Sequence, residues 1–450
     1  MAENKAKLER VLGPVMLWGL GVGYVISGMY FGWNLGLPQG GTLGLAIATL
    51  FITLMYVTFT FGYAELACAI PRAGGAFDYA KRALGPTWGF VGGLAQIIEF
   101  VFAPPAIAAA IGAYFHLFFP QIPVIGIALF VYLVFTALNI YGVKAAASFE
   151  LWITIFAVIE LLIFACITLP HLEWSHLTQN SLPFGYKGVF AAIPFAIWFF
   201  LAIEGVANVA EETVNPQRNI VLGFSSAMGT LVVLCILTFL GSVGVGGWER
   251  IVYAVPGAIP SAGPIPSDSP LPLALAQVVG QNHFFYHLLI TIGLFGLIAS
   301  FHGIILAAGR ATFEFGRVGY TFRSLGETHP RFRTPAKALL ANMGVGILAL
   351  LTGKTGEIIT LSCFGALTLY IISMVSLFQL RKREPQLARP FRTPGYPLFP
   401  FIAFLIASVS LLAMIFYNVK LALIYFSIMG ILVAGFQLFR KSGILVEENG

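Results

Sequence analysis

The sequence predicts an all-α polytopic membrane protein with twelve transmembrane helices. Of its 450 residues, 58% are hydrophobic and only 10% are charged, and the mean hydropathy is +0.88. A soluble globular domain carries about 25% charged residues. The apolar stretches recur with lengths of roughly 20 residues, which an α-helix needs to cross a bilayer. The spans are predicted at residues 14–36, 42–70, 87–115, 122–141, 149–170, 189–211, 220–245, 286–312, 336–352, 357–380, 398–416 and 420–439.

The basic residues predict the orientation of these spans. With residues 1–13 placed in the cytoplasm, 21 of the 25 Lys and Arg residues fall on the cytoplasmic side, Lys5, Lys7 and Lys144 among them. The four exceptions are Lys187, Arg250, Lys354 and Lys420. Such an asymmetry sets the topology of a membrane protein. An even number of spans then places both termini, including residues 440–450, in the cytoplasm.

Composition also excludes several classes of protein. The four cysteines lie in apolar segments without metal-ligand spacing, and no nucleophile–base set is recognisable. We therefore expect no enzyme activity, no metal and no cofactor. The net charge of +6 lies in loops that meet anionic lipid headgroups, and it does not indicate a nucleic-acid partner. The polar start and the long first apolar stretch predict no cleavable signal.

Two of the predicted spans are interrupted in a similar way. The first carries six glycines between residues 19 and 36, and the sixth carries Pro194 and the run Ala202-Ile203-Glu204-Gly205. Interrupted helices in corresponding halves indicate the substrate site of an inverted-repeat transporter. The halves are residues 14–170 and 189–380 of a single transport domain, with residues 398–439 added. The alternative is that the glycines serve close helix packing.

Four sequence blocks resemble the amino acid–polyamine–organocation (APC) permeases. They are AELACAIPRAGGAFDYAKRALGP at 64–86, EGVANVAEETVNPQRN at 204–219, the stretch 308–335, and LRKREPQLARPFRTPGYP at 380–397. Their order and spacing match over nearly the whole chain. The resemblance implies a bacterial plasma-membrane transporter of amino acids or amines. It would work by alternating access around a site between spans 1, 3, 6, 8 and 10.

Within that superfamily, the runs at 25–41 and 196–212 are similar to the ethanolamine permease group. The leading hypothesis is import of a small amine, ethanolamine, with proton coupling or exchange left open. A zwitterionic amino acid permease or exchanger is the alternative within the superfamily. A transporter-like nutrient sensor is a third hypothesis.

The break in span 1 supports an amine without a carboxylate. Relatives place a Gly-Ser-Gly run there, so that backbone approaches the substrate carboxylate, whereas this chain has Phe31-Gly32-Trp33-Asn34. Bulky Trp33 stands where a small residue is expected. The alternative is that the remaining glycines still open enough backbone. The span-1 residues predicted to bind substrate are Ile26, Ser27, Gly28, Tyr30 and Gly32.

We single out three of the glutamates that fall inside predicted spans, because an ionised carboxylate within a membrane is costly and marks function. Glu99 in span 3, before Pro105, is a candidate for binding an ammonium group, or it pairs with a hydroxyl. For Glu204 in span 6 three roles are open: it carries a coupling proton, it binds the substrate ammonium, or it accepts a hydrogen bond from backbone freed at the break. Glu160 in span 5 is a proton site or a structural hydrogen-bond partner. The lysine that many relatives carry near this depth is replaced by Ala157.

The remaining candidates come from the resemblance and from position. Trp198 matches the gating aromatic of span 6. Together with Ala202 at the break and Pro105 of span 3, Trp198 is also predicted to bind substrate. Ser300 and Ile304 of span 8 lie at the depth where relatives contact substrate. The other candidates are His302, a titrating or a buried satisfied histidine, and Arg72, in a cytoplasmic gate with Glu65, Asp78 or Glu212. Residues 271–280 of the long outer loop are predicted to form a short surface helix.

Overall fold

The computed structural model describes residues 10–72, 74–141, 146–253 and 266–441, and the described part is helical throughout its regular structure. Ten of its helices are long and apolar enough to cross a membrane, and Pro14–Val25 and Ala336–Leu350 are shorter apolar helices. Together they account for the twelve predicted spans and confirm the predicted fold class. The division into two repeats stays a prediction. Lys5, Lys7, Lys144 and residues 442–450 lie outside the described residues.

The bounds of the helices agree with the predicted spans to within a few residues. Span 1 consists of three helical pieces, and so does span 6. The spans are Pro14–Val25 with Ser27–Tyr30 and Trp33–Gly36 (span 1), Leu37–Ala69 (2), Pro86–His116 (3), Val124–Tyr141 (4), Ala146–Thr168 (5), Gly185–Ala191 with Ile193–Trp198 and Ile203–Glu212 (6), Pro216–Val243 (7), Phe284–Arg317 (8), Ala336–Leu350 (9), Thr355–Arg383 (10), Leu398–Tyr417 (11) and Val419–Lys441 (12).

Short helices lie between the spans. They are Ala76–Leu84, Leu169–His171, Trp174–Thr178, Trp248–Val252, Pro270–Val279 and Arg323–Gly326. A helix does form where a surface helix was predicted at 271–280, but the prediction that it lies on the surface is wrong because one of its faces is buried. The helix Pro270–Val279 buries Leu271, Ala274 and Leu275 against spans 5, 7 and 8. Its apolar spacing of three to four residues explains this, because such a stripe needs a protein surface to cover it.

Burial orders the spans from the centre of the bundle outwards. The apolar stretch of span 6 is buried completely and that of span 3 to 83%, whereas spans 4, 11 and 12 bury only 28% of theirs. Span 10 packs along span 3, and span 8 packs against spans 3 and 5. The buried polar side chains of these spans, such as Glu99, Glu204, Ser300 and Ser362, therefore lie inside the bundle.

One end of the bundle carries a dense set of ion pairs around Glu65 of span 2. The buried Glu65 carboxylate accepts two hydrogen bonds from Arg381, at 2.6 and 2.8 Å, and Arg389 approaches it to 3.4 Å. The backbone N–H and the hydroxyl of Thr393 both donate to it over 2.7 Å. Glu65 thus ties span 2 to the end of span 10 and to the loop that follows.

We expect Glu65→Gln to destabilise the protein strongly. The neutral amide leaves two arginines without their anion, and removing one partner of a buried pair costs about 3–5 kcal/mol. The measurement is the melting temperature of the purified protein in detergent. The matched control is Glu384→Gln, which breaks the more exposed pair with Arg82 and costs at most about 1 kcal/mol. Equal losses in the two variants would contradict the central role of Glu65.

Candidate functional site at the breaks in spans 1 and 6

Span 1 leaves helical geometry between Tyr30 and Trp33. Phe31 is extended (φ −162°, ψ 176°) and Gly32 has φ +87°. The sequence predicted this interruption within Ile26–Gly32, and Ile26 itself joins the first two helical pieces.

Hydrogen bonds from within the chain occupy backbone groups around this break. The amide of Ser27 donates to the Ser300 hydroxyl over 2.9 Å, and that hydroxyl lies 2.7 Å from the carbonyl oxygen of Gly23 and 3.0 Å from that of Tyr24. Ser300 therefore links span 8 to span 1 through hydrogen bonds. Ile304, one turn further along span 8, is also buried.

The Asn34 side chain holds the other end of the break. Its Oδ1 accepts from the Gly32 amide over 3.0 Å, and its Nδ2 donates to the Ser267 carbonyl over 2.8 Å. Asn34 is fully buried. It thus caps the Gly32 amide, which the break in span 1 releases from helical hydrogen bonding. The sequence marked Asn34 as a departure from the family pattern but did not indicate this role.

Span 6 breaks after Trp198, and the chain turns through Ala202. Ala202 has φ +77°, a left-handed conformation that costs a residue with a side chain roughly 1 kcal/mol or more and that clusters at functional sites. A 3₁₀ helix, Ile203–Glu212, follows. The turn places the Glu204 side chain in the centre of the bundle, with no exposed surface.

The two breaks touch each other through Trp198. A Cβ on Gly28 would lie 2.4 Å from the carbonyl oxygen of Trp198, and a Cβ on Gly32 would lie 2.4 Å from its indole Nε1. Only glycine fits at both positions. The Trp198 ring also meets Phe31 edge to face, with ring centroids 5.4 Å apart. Trp198 therefore closes over the break in span 1.

Glu99 and Glu204 come together at the centre of the bundle. Both are fully buried, their carboxyl groups lie within hydrogen-bonding reach of each other, and the Ala202 amide is close to Glu99. The Tyr370 hydroxyl donates to Glu204 over 3.0 Å and is itself 3.0 Å from the Tyr56 hydroxyl. Among the described residues, no side chain donates to either carboxyl oxygen of Glu99. The pair has no cationic partner of its own in the described part of the chain.

The other buried glutamate of the prediction, Glu160, has a protein partner. Its carboxylate accepts from the Tyr30 hydroxyl over 2.6 Å, and the Tyr114 hydroxyl donates to the Tyr30 carbonyl over 3.1 Å. Tyr30 thus binds span 5 rather than the Glu99–Glu204 pair. Pro105 is buried in span 3, which stays helical past it, about 9 Å along the axis from Glu99.

Comparison with known proteins identifies the family. The profile described as "Amino acid permease" matches residues 15–442. The chain belongs to the amino acid permease family.

The permease is also similar over most of its length to curated transporters. It is 28% identical to an uncharacterized transporter of Rhizobium meliloti (strain 1021), over 91% of this chain and 88% of that protein. It is 26% identical to the branched-chain amino acid permease BcaP of Bacillus subtilis (strain 168), over 89% and 87%. It is 24% identical to the low-affinity putrescine importer PlaP of Escherichia coli (strain K12), over 85% and 84%. These relatives are transporters, not enzymes, and their names cover both amino acids and amines.

The permease does not use the ion pairs predicted for Arg72 with Glu65 or Glu212. Glu65 binds Arg381, and Glu212 binds Arg310 over 3.0 Å. The exposed Arg72 is instead a charge neighbour of Asp78, whose pKa burial raises while Arg72 and the Gly74 amide oppose the rise. Of the three predicted partners only Asp78 stays a candidate.

Sequence reasoning also missed the segment 266–269, which bridges spans 1 and 10. Ser267 accepts from Asn34, and the Asp268 carboxylate accepts from the Thr355 hydroxyl over 2.9 Å. The only signal was the polar pair Asp268 and Thr355 flanking apolar helices. The segment lies over the end of the break in span 1 that Asn34 caps.

We expect Asp268→Asn to flatten the pH dependence of stability. Burial raises the pKa of Asp268 to about 6, and the Thr355 hydroxyl only partly opposes this. An unfolded Asp has a pKa of about 3.9, so the folded state binds the proton more tightly, and this stabilisation is lost as pH rises from about 4 through about 6. The variant amide is neutral and still accepts from Thr355.

The measurement is the melting temperature of the wild type and the variant at about pH 5 and about pH 7.5. The wild type should lose more stability between these values than Asp268→Asn does. Glu357→Gln, an exposed carboxylate at the same end of span 10, is the control and should follow the wild type. Identical profiles for wild type and Asp268→Asn would show that Asp268 does not titrate in this range.

Proposed function

We propose that this permease imports a small primary amine, ethanolamine, across the bacterial plasma membrane by alternating access. The observation that carries the proposal is the contact between two buried carboxyl groups, Glu99 and Glu204, beside the break in span 6. In the same proposal the end of the bundle that holds Arg72, Arg310 and Arg381 faces the cytoplasm, as do both termini.

An ammonium group matches the pair chemically. It offers three donors and one positive charge, and the pair holds free acceptor positions on both oxygens of Glu99 and on Oε1 of Glu204. A buried carboxylate without a partner costs several kcal/mol, so a cation that fills the position is bound strongly. The Tyr56 ring lies 5.4 Å from that of Phe200 and 5.4 Å from that of Tyr370, and aromatic rings add attraction for a cation of roughly 0.5–2 kcal/mol.

The break in span 1 supports an amine that has no carboxylate. A helix break binds an anion through free amides, yet the amides of Ser27 and Gly32 already donate to Ser300 and Asn34. Trp198 lies against the same backbone. A small hydroxyl group needs one hydrogen bond there, whereas a carboxylate would compete with two internal acceptors.

The second candidate is a zwitterionic amino acid permease or exchanger. It is favoured by the names of two Bacillus subtilis relatives, the branched-chain amino acid permease and the serine/threonine exchanger SteT. A carboxylate substrate would have to displace Asn34 or Ser300 from the span-1 amides. The sensor hypothesis differs from both in that substrate would bind without being moved.

We expect purified permease in liposomes to accumulate labelled ethanolamine. Alanine, arginine and putrescine are tested beside it, with and without a pH gradient, to separate proton coupling from exchange. A monovalent amine also gains about 2.3 kcal/mol per 100 mV of inside-negative potential, so an imposed potential should raise uptake. Saturable alanine uptake that ethanolamine does not inhibit would overturn the proposal. Binding without uptake would indicate a sensor.

We expect Glu99→Gln to weaken ethanolamine affinity about ten- to hundredfold, because a hydrogen bond to a charged group contributes about 1.5–3 kcal/mol. Glu204→Gln tests the alternative roles: loss of affinity indicates binding, and loss of proton dependence alone indicates coupling. The measurement is the concentration dependence of liposome uptake. The control is Glu327→Gln, an exposed carboxylate that pairs with Lys337. Unchanged affinity and proton dependence in both glutamate variants would refute the assignment of this pair.

A further inference from the structure

A second pair of buried ionisable side chains lies away from the Glu99–Glu204 pair. His302 of span 8 places its Nδ1 3.3 Å from Oε2 of Glu150 in span 5. The two residues are 7% and 1% exposed. The second carboxyl oxygen of Glu150 receives no hydrogen bond from the described residues. A histidine and a glutamate in this arrangement can share one proton, and that proton decides whether the pair is neutral or carries a negative charge.

The surroundings of the pair come from several spans. The rings of Phe135 in span 4 and Phe149 in span 5 meet the imidazole of His302 edge on. The Asn139 amide of span 4 reaches the His302 carbonyl over 3.5 Å. A Cβ on Gly23 of span 1 would lie 2.6 Å from Oε1 of Glu150. The pair is therefore enclosed by aromatic rings and by the backbone of span 1.

Other polar and charged groups lie near the pair on spans 1, 5, 6 and 8. Thr154 of span 5 donates to the Gly19 carbonyl, and Tyr24 of span 1 is an electrostatic neighbour of Glu150. Tyr24 is also near Arg310 of span 8 and Glu212 of span 6, which form their own ion pair. Arg310 lies eight residues after His302, about 12 Å along the helix.

The pair is mechanically connected to the broken helix. Ser300, two residues before His302, is the residue that holds Gly23, Tyr24 and Ser27 of span 1. The Tyr24 ring in turn packs on Gly303 of span 8 and on Gly205 of span 6, each of which would clash with it if it carried a Cβ. A change in the contact between spans 5 and 8 therefore acts on the backbone next to both breaks.

We propose that Glu150 and His302 form a proton-binding site that makes transport dependent on pH, separate from the Glu99–Glu204 pair. With the proton bound, the pair is a neutral imidazolium–carboxylate bridge that holds span 5 against span 8. When the proton leaves to solvent, a buried carboxylate stays behind without a counter-charge, which is strongly unfavourable. The deprotonated protein then favours an arrangement in which spans 5 and 8 separate and Glu150 reaches water. The proposal requires only that the protein transports, whichever substrate it takes.

The first test observes the proton directly and needs no substrate. The chain has seven histidines, and labelled histidine ring carbons of the purified protein are followed by NMR over a pH series. The resonance that disappears in His302→Gln belongs to His302. Its chemical shift should report the proton that His302 shares with Glu150, so the pH series should differ between the wild type and Glu150→Gln. A His302 resonance whose chemical shift stays constant over the series, or follows the same series in Glu150→Gln, would overturn the proposal.

The second test is transport in liposomes, with labelled ethanolamine and labelled alanine supplied in parallel. The double variant Glu150→Gln/His302→Gln keeps a hydrogen-bonding pair without charge and so preserves packing. We expect the rate of uptake by the wild type to change at least about threefold between about pH 5.5 and about pH 7.5. The rate of uptake by the double variant should change less than about 1.5-fold. His287→Gln, an exposed histidine on the same helix, is the control and should keep the wild-type profile.

A purely structural pair gives a different result. The double variant would then have a lower melting temperature, and the transport that it retains would show the wild-type pH profile. That outcome would refute the proposal, and so would a flat profile in the wild type itself.

Discussion

The hydrocarbon core of a membrane offers no hydrogen bonds, so the backbone groups that a broken helix releases need partners inside the protein. In this permease the Ser300 hydroxyl is a hydrogen-bond partner for three backbone groups of span 1, two carbonyl oxygens and one amide. The position of span 1 against span 8 follows from this contact. So does the approach of Gly28 and Gly32 to Trp198, because a displaced span 1 would not meet the break in span 6.

The internal hydrogen bonds at the break in span 1 also bear on the kind of ligand proposed for the centre. A helix end with free amides is a site for anions. Here Asn34 and Ser300 occupy two of these amides, while the adjacent carboxyl groups of Glu99 and Glu204 lack a cationic partner among the described residues. The described residues thus leave both oxygens of Glu99 and Oε1 of Glu204 without a hydrogen-bond partner, which supports the proposal of a cationic substrate.

The sequence predicted the spans well, because hydropathy and the fixed rise of a helix determine them almost alone. It also predicted the two breaks from glycines and from Ala202-Ile203-Glu204-Gly205. It could not predict which polar groups meet across spans. Glu99 and Glu204 were separate candidates, Glu150 was not singled out, and Arg72 was assigned partners that bind other arginines. Such pairings depend on the rotation of each helix about its axis, and neighbouring helices set that rotation.

The carboxyl groups of Glu99, Glu150, Glu160 and Glu204, all buried within the spans, lie in three different environments. Glu160 has a tyrosine donor and Glu150 has a histidine, whereas Glu99 and Glu204 have mainly each other and one tyrosine. If the coupling proton occupied the Glu99–Glu204 pair, a cationic substrate would compete with it for the same oxygens, and the two would be transported in opposite directions. A proton held at Glu150 and His302, as proposed, would not compete with substrate for these oxygens, so both can be bound at once. In the proposal, the location of the proton therefore decides whether antiport or symport is chemically accessible.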